Sequence, residues 1–202
     1  DYFVHGDAKD FIKRLNKIDT INNLNTRMDW LVQCRLWQNK WSPFNRPDIG
    51  SLNMYSFSKE LSEYLEKNKE FDDNSITITD AGSAYYVLAQ SLKCKELIIP
   101  AAQGEMGFMI PATVGAYEAH KGEKKIIGVT GEGSFQFNIQ ELQTIAHHKM
   151  PIALFVLNNN GYLSIKTTQN KFFNSRLSGA DKDSGVSFPD LKLVSQAYGI
   201  EY

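Results

Sequence analysis

Two short polar turns hold the residues of this chain whose types and spacing could support chemistry. The first is GEGS, residues 131–134, which follows the run KKIIGVT and precedes a predicted helix. A glycine-rich turn between a buried strand and a helix offers free backbone N–H groups and the positive end of the helix dipole, so it favours a phosphate. By itself GEGS also suits an ordinary strand-to-helix turn, and it fits neither the dinucleotide-binding nor the Walker pattern.

The second turn is NNNG, residues 158–161, which follows the apolar run PIALFVL. Neighbouring parallel strands end at the same edge of a sheet, so we expect Glu132 and Asn159 to face one crevice. A carboxylate and an amide oxygen suit a hard cation such as Mg²⁺ that also contacts phosphate. The alternative is a simple turn, because asparagine tolerates left-handed backbone conformations.

The elements that must hold these turns form an α/β alternation. The predicted strands are near-continuous apolar or β-branched runs, which is typical of buried parallel strands, and helical segments separate them. We therefore predict an α/β fold with a parallel sheet and helices on both faces, a three-layer αβα arrangement. The predicted strands are 75–79, 97–100, 124–130 and 151–158, and the predicted helices are 57–67, 84–92, 107–120, 138–149 and 187–200.

Two details of the last third of the chain matter for the site. Residues 166–187 are polar and irregular in pattern, and we expect either a mobile loop that closes over the site or an ordinary surface loop. The final helix is predicted to begin with Ser187 and Asp190 as a capping pair, to carry Pro189 in its first turn, and to end at Gly199.

The chain before residue 50 has a different pattern. Asp7 is a predicted N-cap, and two apolar stripes follow at helical spacing, made of Phe11, Leu15 and Ile18 and then of Trp30, Cys34, Trp37 and Trp41. The prolines, glycine and asparagines of WSPFNRPDIGSLN mark a linker. We predict that 1–50 is the tail of a preceding domain plus a helical linker, and that 51–202 is the domain that contains both turns.

Composition excludes several classes of protein. The 202 residues are 42% hydrophobic and 22% charged, which argues against disorder, and no apolar run is long enough to cross a bilayer. The net charge of −1 argues against broad attraction to nucleic acid or to an anionic membrane. Cys34 and Cys94 are too far apart in sequence for a metal or redox knuckle, so we expect reduced cysteines in a cytoplasmic protein.

The GEGS turn and the pair Asn158–Asn159 together resemble the thiamine-diphosphate motif, usually written G-D-G…N-N, at the spacing of that motif. The sequence between them, SFQFNIQELQTIAHHKMPIALFVL, is similar to the acetolactate-synthase branch of the thiamine-diphosphate-dependent enzymes. ITDAGSAYY, GEMGFMIPATVGA and GDAKDFIKRL resemble further segments of that branch. The resemblance implies the thiamine-diphosphate-binding fold in a C-terminal domain of a larger enzyme, with 51–202 truncated at its C-terminal end.

The resemblance also implies a role for each matched residue. Glu132, where the family has aspartate, and Asn159 would bind Mg²⁺ through side-chain oxygens, and Gly161 would bind it through its carbonyl. Apart from the resemblance, Met106 has the alternative interpretation of a core residue. The residues expected to contact thiamine diphosphate are Gly82, Ser83, Ala84, Gly133 and Ser134 at the diphosphate, Gly104 and Met106 at the aminopyrimidine, and Asn159, Gly161, Tyr162 and Leu163 after the last strand.

The function that the resemblance implies is decarboxylation or carboligation of a 2-keto acid such as pyruvate. No catalytic residue is assigned to this chain, because the family's activating glutamate comes from an N-terminal pyrimidine-binding domain of the same or a second subunit. A homo-oligomer is therefore expected, and FAD is expected, if at all, only in the full-length enzyme and not on this chain. Two alternatives remain: transfer of a two-carbon unit to a keto-sugar, and a non-catalytic module whose pocket has decayed, for which Glu132 is the support.

Overall fold

The computed structural model describes residues 5–17, 28–45, 53–101 and 103–202. Contacts between Cα atoms divide the chain into two compact units, 1–45 and 46–202. The boundary predicted near residue 50 lies outside the described residues, and the assignment of 1–50 to a preceding domain stays a prediction.

The first unit contains the two helices predicted for it, α1 (Ala8–Leu15) and α2 (Met28–Lys40). Asp7 caps α1 as predicted, because its carboxylate accepts the N–H groups of Lys9 and Asp10 at 2.9 and 3.2 Å. The tryptophans of the second stripe lie on one side of α2. The ring centroids of Trp30 and Trp37 are 5.5 Å apart, and those of Trp37 and Trp41 are 6.1 Å apart. Ile18, the end of the first stripe, lies outside the described residues.

The second unit alternates helices and strands as predicted. Its strands are β1 (Ser75–Thr79), β2 (Leu97–Ile98), β3 (Lys125–Gly131) and β4 (Ile152–Leu157). Its helices are α3 (Met54–Lys67), α4 (Lys69–Asp73), α5 (Ser83–Ser91), α6 (Met109–Ala119), α7 (Glu132–Phe135), α8 (Glu141–His147), α9 (Leu163–Phe172) and α10 (Leu191–Ala197).

The four described strands pair in parallel, in the order β2-β1-β3-β4. Ser75 pairs with Lys125 at the start of β1, and Gly131 pairs with Leu157 at the end of β3. The four described strands therefore end at one edge, and the two polar turns follow β3 and β4 directly at that edge. Neither the first nor the second unit, in its described residues, has a helix that is long and apolar enough to cross a membrane.

Side chains that alternate along β3 contribute to a separate core on each face of the sheet, and β1 adds two isoleucines to the first core. One face packs against α6, α8 and α10, and the other packs against α3 and α5. The three-layer α/β fold is confirmed. The first core contains Ile76, Ile78, Met109, Ile110, Ile126, Leu142 and Ile145, with Leu191 and Val194 against it, and the second contains Leu61, Leu65, Leu88, Ile127 and Val129.

The interpretation of 166–187 as irregular is wrong in its first part, because α9 runs through Phe172. Threonine predicts helix poorly, but here the hydroxyls of Thr167 and Thr168 donate to carbonyls one turn earlier, at 2.9 and 3.0 Å. The two hydroxyls are thereby satisfied within the helix, and the sequence pattern missed α9 because it has no apolar stripe.

The predicted capping pair of the last helix is also wrong. Asp190 alone is the N-cap of α10, and its carboxylate accepts the N–H groups of Lys192 and Leu193 at 2.8 and 3.3 Å. Pro189 therefore precedes the cap and does not lie in the first turn. The helix predicted over 138–149 is shorter too, since a 3₁₀ turn occupies Gln136–Asn138 and α8 begins at Glu141.

Candidate functional site

The site lies at the carboxyl edge of the sheet, where the turns after β1, β3 and β4 meet. Glu132 is the first residue of α7, and its side chain is buried, with 1% of its surface exposed. Its Oε1 accepts the backbone N–H groups of Asn159 at 3.0 Å and Gly161 at 2.9 Å. The structure thus brings the GEGS turn and the NNNG turn into contact through one carboxylate.

The atoms at this contact fit a magnesium ion. Oε2 of Glu132 accepts no hydrogen bond from the described residues, and Asn159 has an exposed side chain. With the carbonyl of Gly161 they supply the carboxylate, amide and carbonyl oxygens that Mg²⁺ accepts. In the described part of the chain no group of three or more His, Cys, Asp or Glu side chains could hold a metal. A cation here would therefore depend on a phosphate ligand for further oxygens, which is the usual situation for Mg²⁺.

Gly133 allows a tyrosine to lie directly on the GEGS turn. A Cβ atom at position 133 would come within 2.3 Å of Cε1 of Tyr162, a distance that no side chain tolerates. The ring of Tyr162 also meets that of Phe188 edge-on, at 5.5 Å between centroids. Tyr162 therefore covers the phosphate-type turn, and only glycine at position 133 leaves room for it.

Asp80 is a second buried carboxylate at the same edge, and the sequence pattern did not predict a role for it. Its Oδ1 accepts the Thr130 hydroxyl at 2.7 Å, and its Oδ2 accepts the Ser134 hydroxyl at 2.6 Å and the Met109 N–H at 3.3 Å. Burial raises the pKa of Asp80 above its ordinary value, although the hydrogen bonds from Ser134 and Thr130 act in the opposite direction. The sequence feature that could have indicated Asp80 is the position of an acidic residue directly after the fully buried strand β1.

The network around Asp80 turns the Ser134 side chain toward the interior. Its hydroxyl donates to Asp80 and accepts the N–H of Gly107 at 2.7 Å. The side-chain amide of Asn138 donates to the carbonyl of Gly107 at 2.8 Å. Ser134 can therefore offer a diphosphate its backbone N–H, while its side chain ties the predicted aminopyrimidine turn, Gly104 to Gly107, to the GEGS turn.

The predicted contacts at the start of α5 and before α6 also lie at this edge. Gly82 has a left-handed φ of +74°, and a Cβ there would lie 3.7 Å from the Ser164 hydroxyl at the start of α9, next to Leu163. Ser83 is half-buried and Ala84 is buried. Gly104 has a φ of +65°, and Met106 is half-buried.

A family model described as "Thiamine pyrophosphate enzyme, C-terminal TPP binding domain" matches residues 80–202. The match covers more than half of the chain and begins at Asp80. This chain belongs to the thiamine pyrophosphate enzymes, as their C-terminal domain. The family resemblance identified from the GEGS and NN motifs is confirmed.

Known relatives of this TPP enzyme domain are acetolactate synthases. The chain is 35% identical over 148 residues to the acetolactate synthase large subunit of Porphyra purpurea, which covers 72% of this chain and 25% of that protein. It is 30% identical over 184 residues to the same subunit of Cyanidium caldarium, covering 89% of this chain and 30% of that protein. It is 28% identical over 204 residues to the probable acetolactate synthase large subunit of Methanocaldococcus jannaschii, covering the whole chain and 34% of that protein. The chain thus spans between a quarter and about a third of the length of these curated relatives.

Proposed function

We propose that this TPP enzyme domain binds thiamine diphosphate through Mg²⁺ at the carboxyl edge of its sheet and acts within an acetolactate-synthase-like enzyme on a 2-keto acid such as pyruvate. The observation that carries the proposal is the buried Glu132 carboxylate bonded to the backbone of Asn159 and Gly161. This contact brings the GEGS and NNNG turns together at one polar crevice. It therefore supports a motif that can still bind metal, although glutamate replaces the family's aspartate.

Each part of the edge has a proposed task. Glu132, Asn159 and Gly161 hold the metal, which neutralises the diphosphate. The backbone N–H groups of Gly133 and Ser134 at the start of α7, together with the turn from Gly82 to Ala84, bind the phosphate oxygens. Gly104 and Met106 contact the aminopyrimidine, and Tyr162 and Leu163 contact the cofactor next to the metal.

When bound, thiamine diphosphate would supply a nucleophilic carbon and a group able to stabilise the negative charge left by loss of CO₂. The proposed role of this chain's own residues is to bind the cofactor and its metal, to orient them and to enclose them. The Tyr162 ring and the buried Glu132 side chain shield the GEGS side of the site, whereas Asn159 is exposed on the other side. The pairing of Glu132 with two N–H groups fixes its carboxylate before the metal arrives, so little reorganisation is needed on binding.

Proton removal from the cofactor needs a base that we place outside this chain. Glu105 lies in the aminopyrimidine turn, but it is exposed, and we infer that it does not reach the far side of the ring. We propose that an N-terminal pyrimidine-binding domain, of the same or a second subunit of a homo-oligomer, supplies the activating glutamate. Loss of a positioned proton-transfer group costs about 10²–10⁴-fold in rate, so we expect this chain alone to bind the cofactor and not to turn over pyruvate.

A second candidate is a non-catalytic module that has lost metal binding, and the observation that favours it is glutamate in place of aspartate at position 132. Calorimetry separates the two. The wild-type chain is titrated with thiamine diphosphate with and without Mg²⁺, and with thiamine, which lacks the diphosphate, as the control ligand. Mg²⁺-dependent binding of thiamine diphosphate alone supports the proposal, and no binding under either condition supports the non-catalytic module. Release of CO₂ from pyruvate at the rate of a complete enzyme would contradict the placement of the base outside this chain.

A further inference from the structure

The loop SGADKDS, residues 178–184, lies within the segment that the sequence presents as a mobile cover, yet it is bonded to the metal-binding turn. We propose that Lys166 and Asp181 are positioning residues, whose ion pair holds the 178–184 loop against Gly161 and so fixes the backbone that binds metal and diphosphate. The inference rests on the proposed function for its meaning, although the contacts can be tested without any cofactor.

The loop touches the metal-binding turn through backbone atoms. The N–H of Tyr162 donates to the carbonyl of Ala180 at 2.8 Å, and Gly161 forms an antiparallel bridge with Asp181. Ala180 is fully buried, and a Cβ at position 161 would lie only 2.5 Å from its carbonyl oxygen. The loop therefore packs directly on Gly161, and a side chain at position 161 would push the two apart.

Two side-chain contacts from α9 hold the loop in place. Lys166 Nζ lies 2.8 Å from Asp181 Oδ2, and these side chains are only 32% and 14% exposed. The lysine is the first cause of a lowered Asp181 pKa, followed by the hydroxyl of Ser184. At the start of the loop, the amide of Gln169 donates to the Ser178 carbonyl and accepts the Ser178 N–H, both at 3.0 Å. The Lys166–Asp181 ion pair stabilises the loop more than a fully exposed pair would, because both side chains are partly shielded from water.

Asp181 also organises the loop itself. Its Oδ1 accepts the N–H of Ser184 at 3.1 Å and the Ser184 hydroxyl at 2.7 Å, while its Oδ2 faces Lys166. The same residue thus closes the 3₁₀ turn Lys182–Ser184 and carries the charge that α9 attracts. The substitution Asp181→Asn removes the charge but preserves the cap, because asparagine keeps one side-chain oxygen for Ser184.

The contacts form a continuous path to the buried carboxylate. Lys166 pairs with Asp181, which forms the bridge to Gly161, and the adjacent Ala180 accepts the N–H of Tyr162. The N–H groups of Gly161 and Asn159 in turn donate to Glu132. If the ion pair is lost, the loop can move off Gly161. The N–H groups of Asn159 and Gly161, which donate to Glu132, then lose their fixed position. Outer contacts of this kind change the affinity of a metal site by about 10–100-fold.

The test compares Lys166→Met and Asp181→Asn with Asp183→Asn, an exposed aspartate two residues away that makes no ion pair with a described residue. The first readout is amide hydrogen exchange at Asn159 and Gly161, measured by NMR without cofactor. The second is the affinity for thiamine diphosphate with Mg²⁺, and the third is the free energy of unfolding. We expect both test variants to exchange these two amides about 10-fold faster and to bind about 10-fold more weakly than the control. The double variant should be no worse than either single one, because both remove the same contact.

Unchanged exchange at Asn159 and Gly161 in both test variants would overturn the inference. A loss of unfolding free energy that explains faster exchange across the whole sheet would also overturn it, since the role would then be general stability. Faster exchange confined to 159–162 in a chain that binds no thiamine diphosphate would support the positioning role and overturn only the proposed function.

Discussion

Asp80 and Glu132 are both buried carboxylates at the same edge of the sheet, each with 1% of its surface exposed, but their surroundings differ. Asp80 uses both oxygens, on two hydroxyls and a backbone N–H from three segments of the chain. Glu132 uses one oxygen on two backbone N–H groups of a single turn and has no described partner for the other. A carboxylate with both oxygens occupied holds structure together, whereas one with an oxygen to spare can still take a ligand.

The largest expected effect comes from Asp80→Ala. The Thr130 and Ser134 hydroxyls and the Met109 N–H would lose their acceptor in a buried place, so the free energy of unfolding should fall by about 3 kcal/mol or more. Urea denaturation followed by circular dichroism measures it. Asp183→Asn, at an exposed position, is the control, and an Asp80→Ala variant as stable as that control would show that Asp80 does not stabilise the fold.

Glu132→Gln should act on the ligand and leave the fold intact. Glutamine keeps an oxygen for the N–H groups of Asn159 and Gly161 but lacks the charge that a cation needs. We expect the affinity for thiamine diphosphate with Mg²⁺ to fall by about 100-fold, with unfolding changed by less than about 1 kcal/mol. Calorimetry and urea denaturation measure the two quantities, and Glu118→Gln on the exposed side of α6 is the control. Equal losses of affinity in both variants would show that Glu132 is not a ligand.

Gly133→Ala tests the close contact beside Glu132. Its new Cβ would meet the Tyr162 ring and push it off the GEGS turn, so we expect about a 10-fold loss of cofactor affinity and about 1–2 kcal/mol of stability. Gly131→Ala is the matched control, because the nearest atom to its Cβ is the Leu157 carbonyl at 4.0 Å. If both alanine variants bind equally well, the position of Tyr162 has no influence on the site.

The smallest expected effect is the contribution of Asp80 to the pH dependence of the unfolding free energy. Burial raises the pKa of Asp80, so the folded chain holds this proton more tightly than the unfolded chain. Its contribution to stability is therefore full below the ordinary value of 3.8 and is lost as the pH rises through the raised native value. Relative to Asp80→Asn, the wild type should gain unfolding free energy as the pH is lowered from neutral. A relative loss over that range would mean that ionised Asp80 is the favoured form in the fold.

The strands could be predicted from the sequence because short β-branched runs such as SITIT strongly favour β-structure, and β1 occupies that run in the structure. The sequence also predicted that Glu132 and Asn159 would meet, since parallel strands place successive turns at one edge. It did not predict α9 or the loop after it, because their stability comes from polar bonds such as Lys166–Asp181 that leave no periodic pattern. Asp80 was missed for a related reason, since the burial of a single polar residue depends on partners far away in the chain.

A crystal structure of the chain with thiamine diphosphate and Mg²⁺ would show whether Glu132 and Asn159 bind the metal of the cofactor. We predict one ion at about 2.1 Å from the free oxygen of Glu132, the side-chain oxygen of Asn159 and the carbonyl of Gly161, with two diphosphate oxygens and one water molecule completing its octahedral shell. We also predict that Oε1 of Glu132 keeps its bonds to the N–H groups of Asn159 and Gly161. A cofactor bound with its metal away from Glu132, or a diphosphate held elsewhere than the GEGS turn, would contradict this prediction.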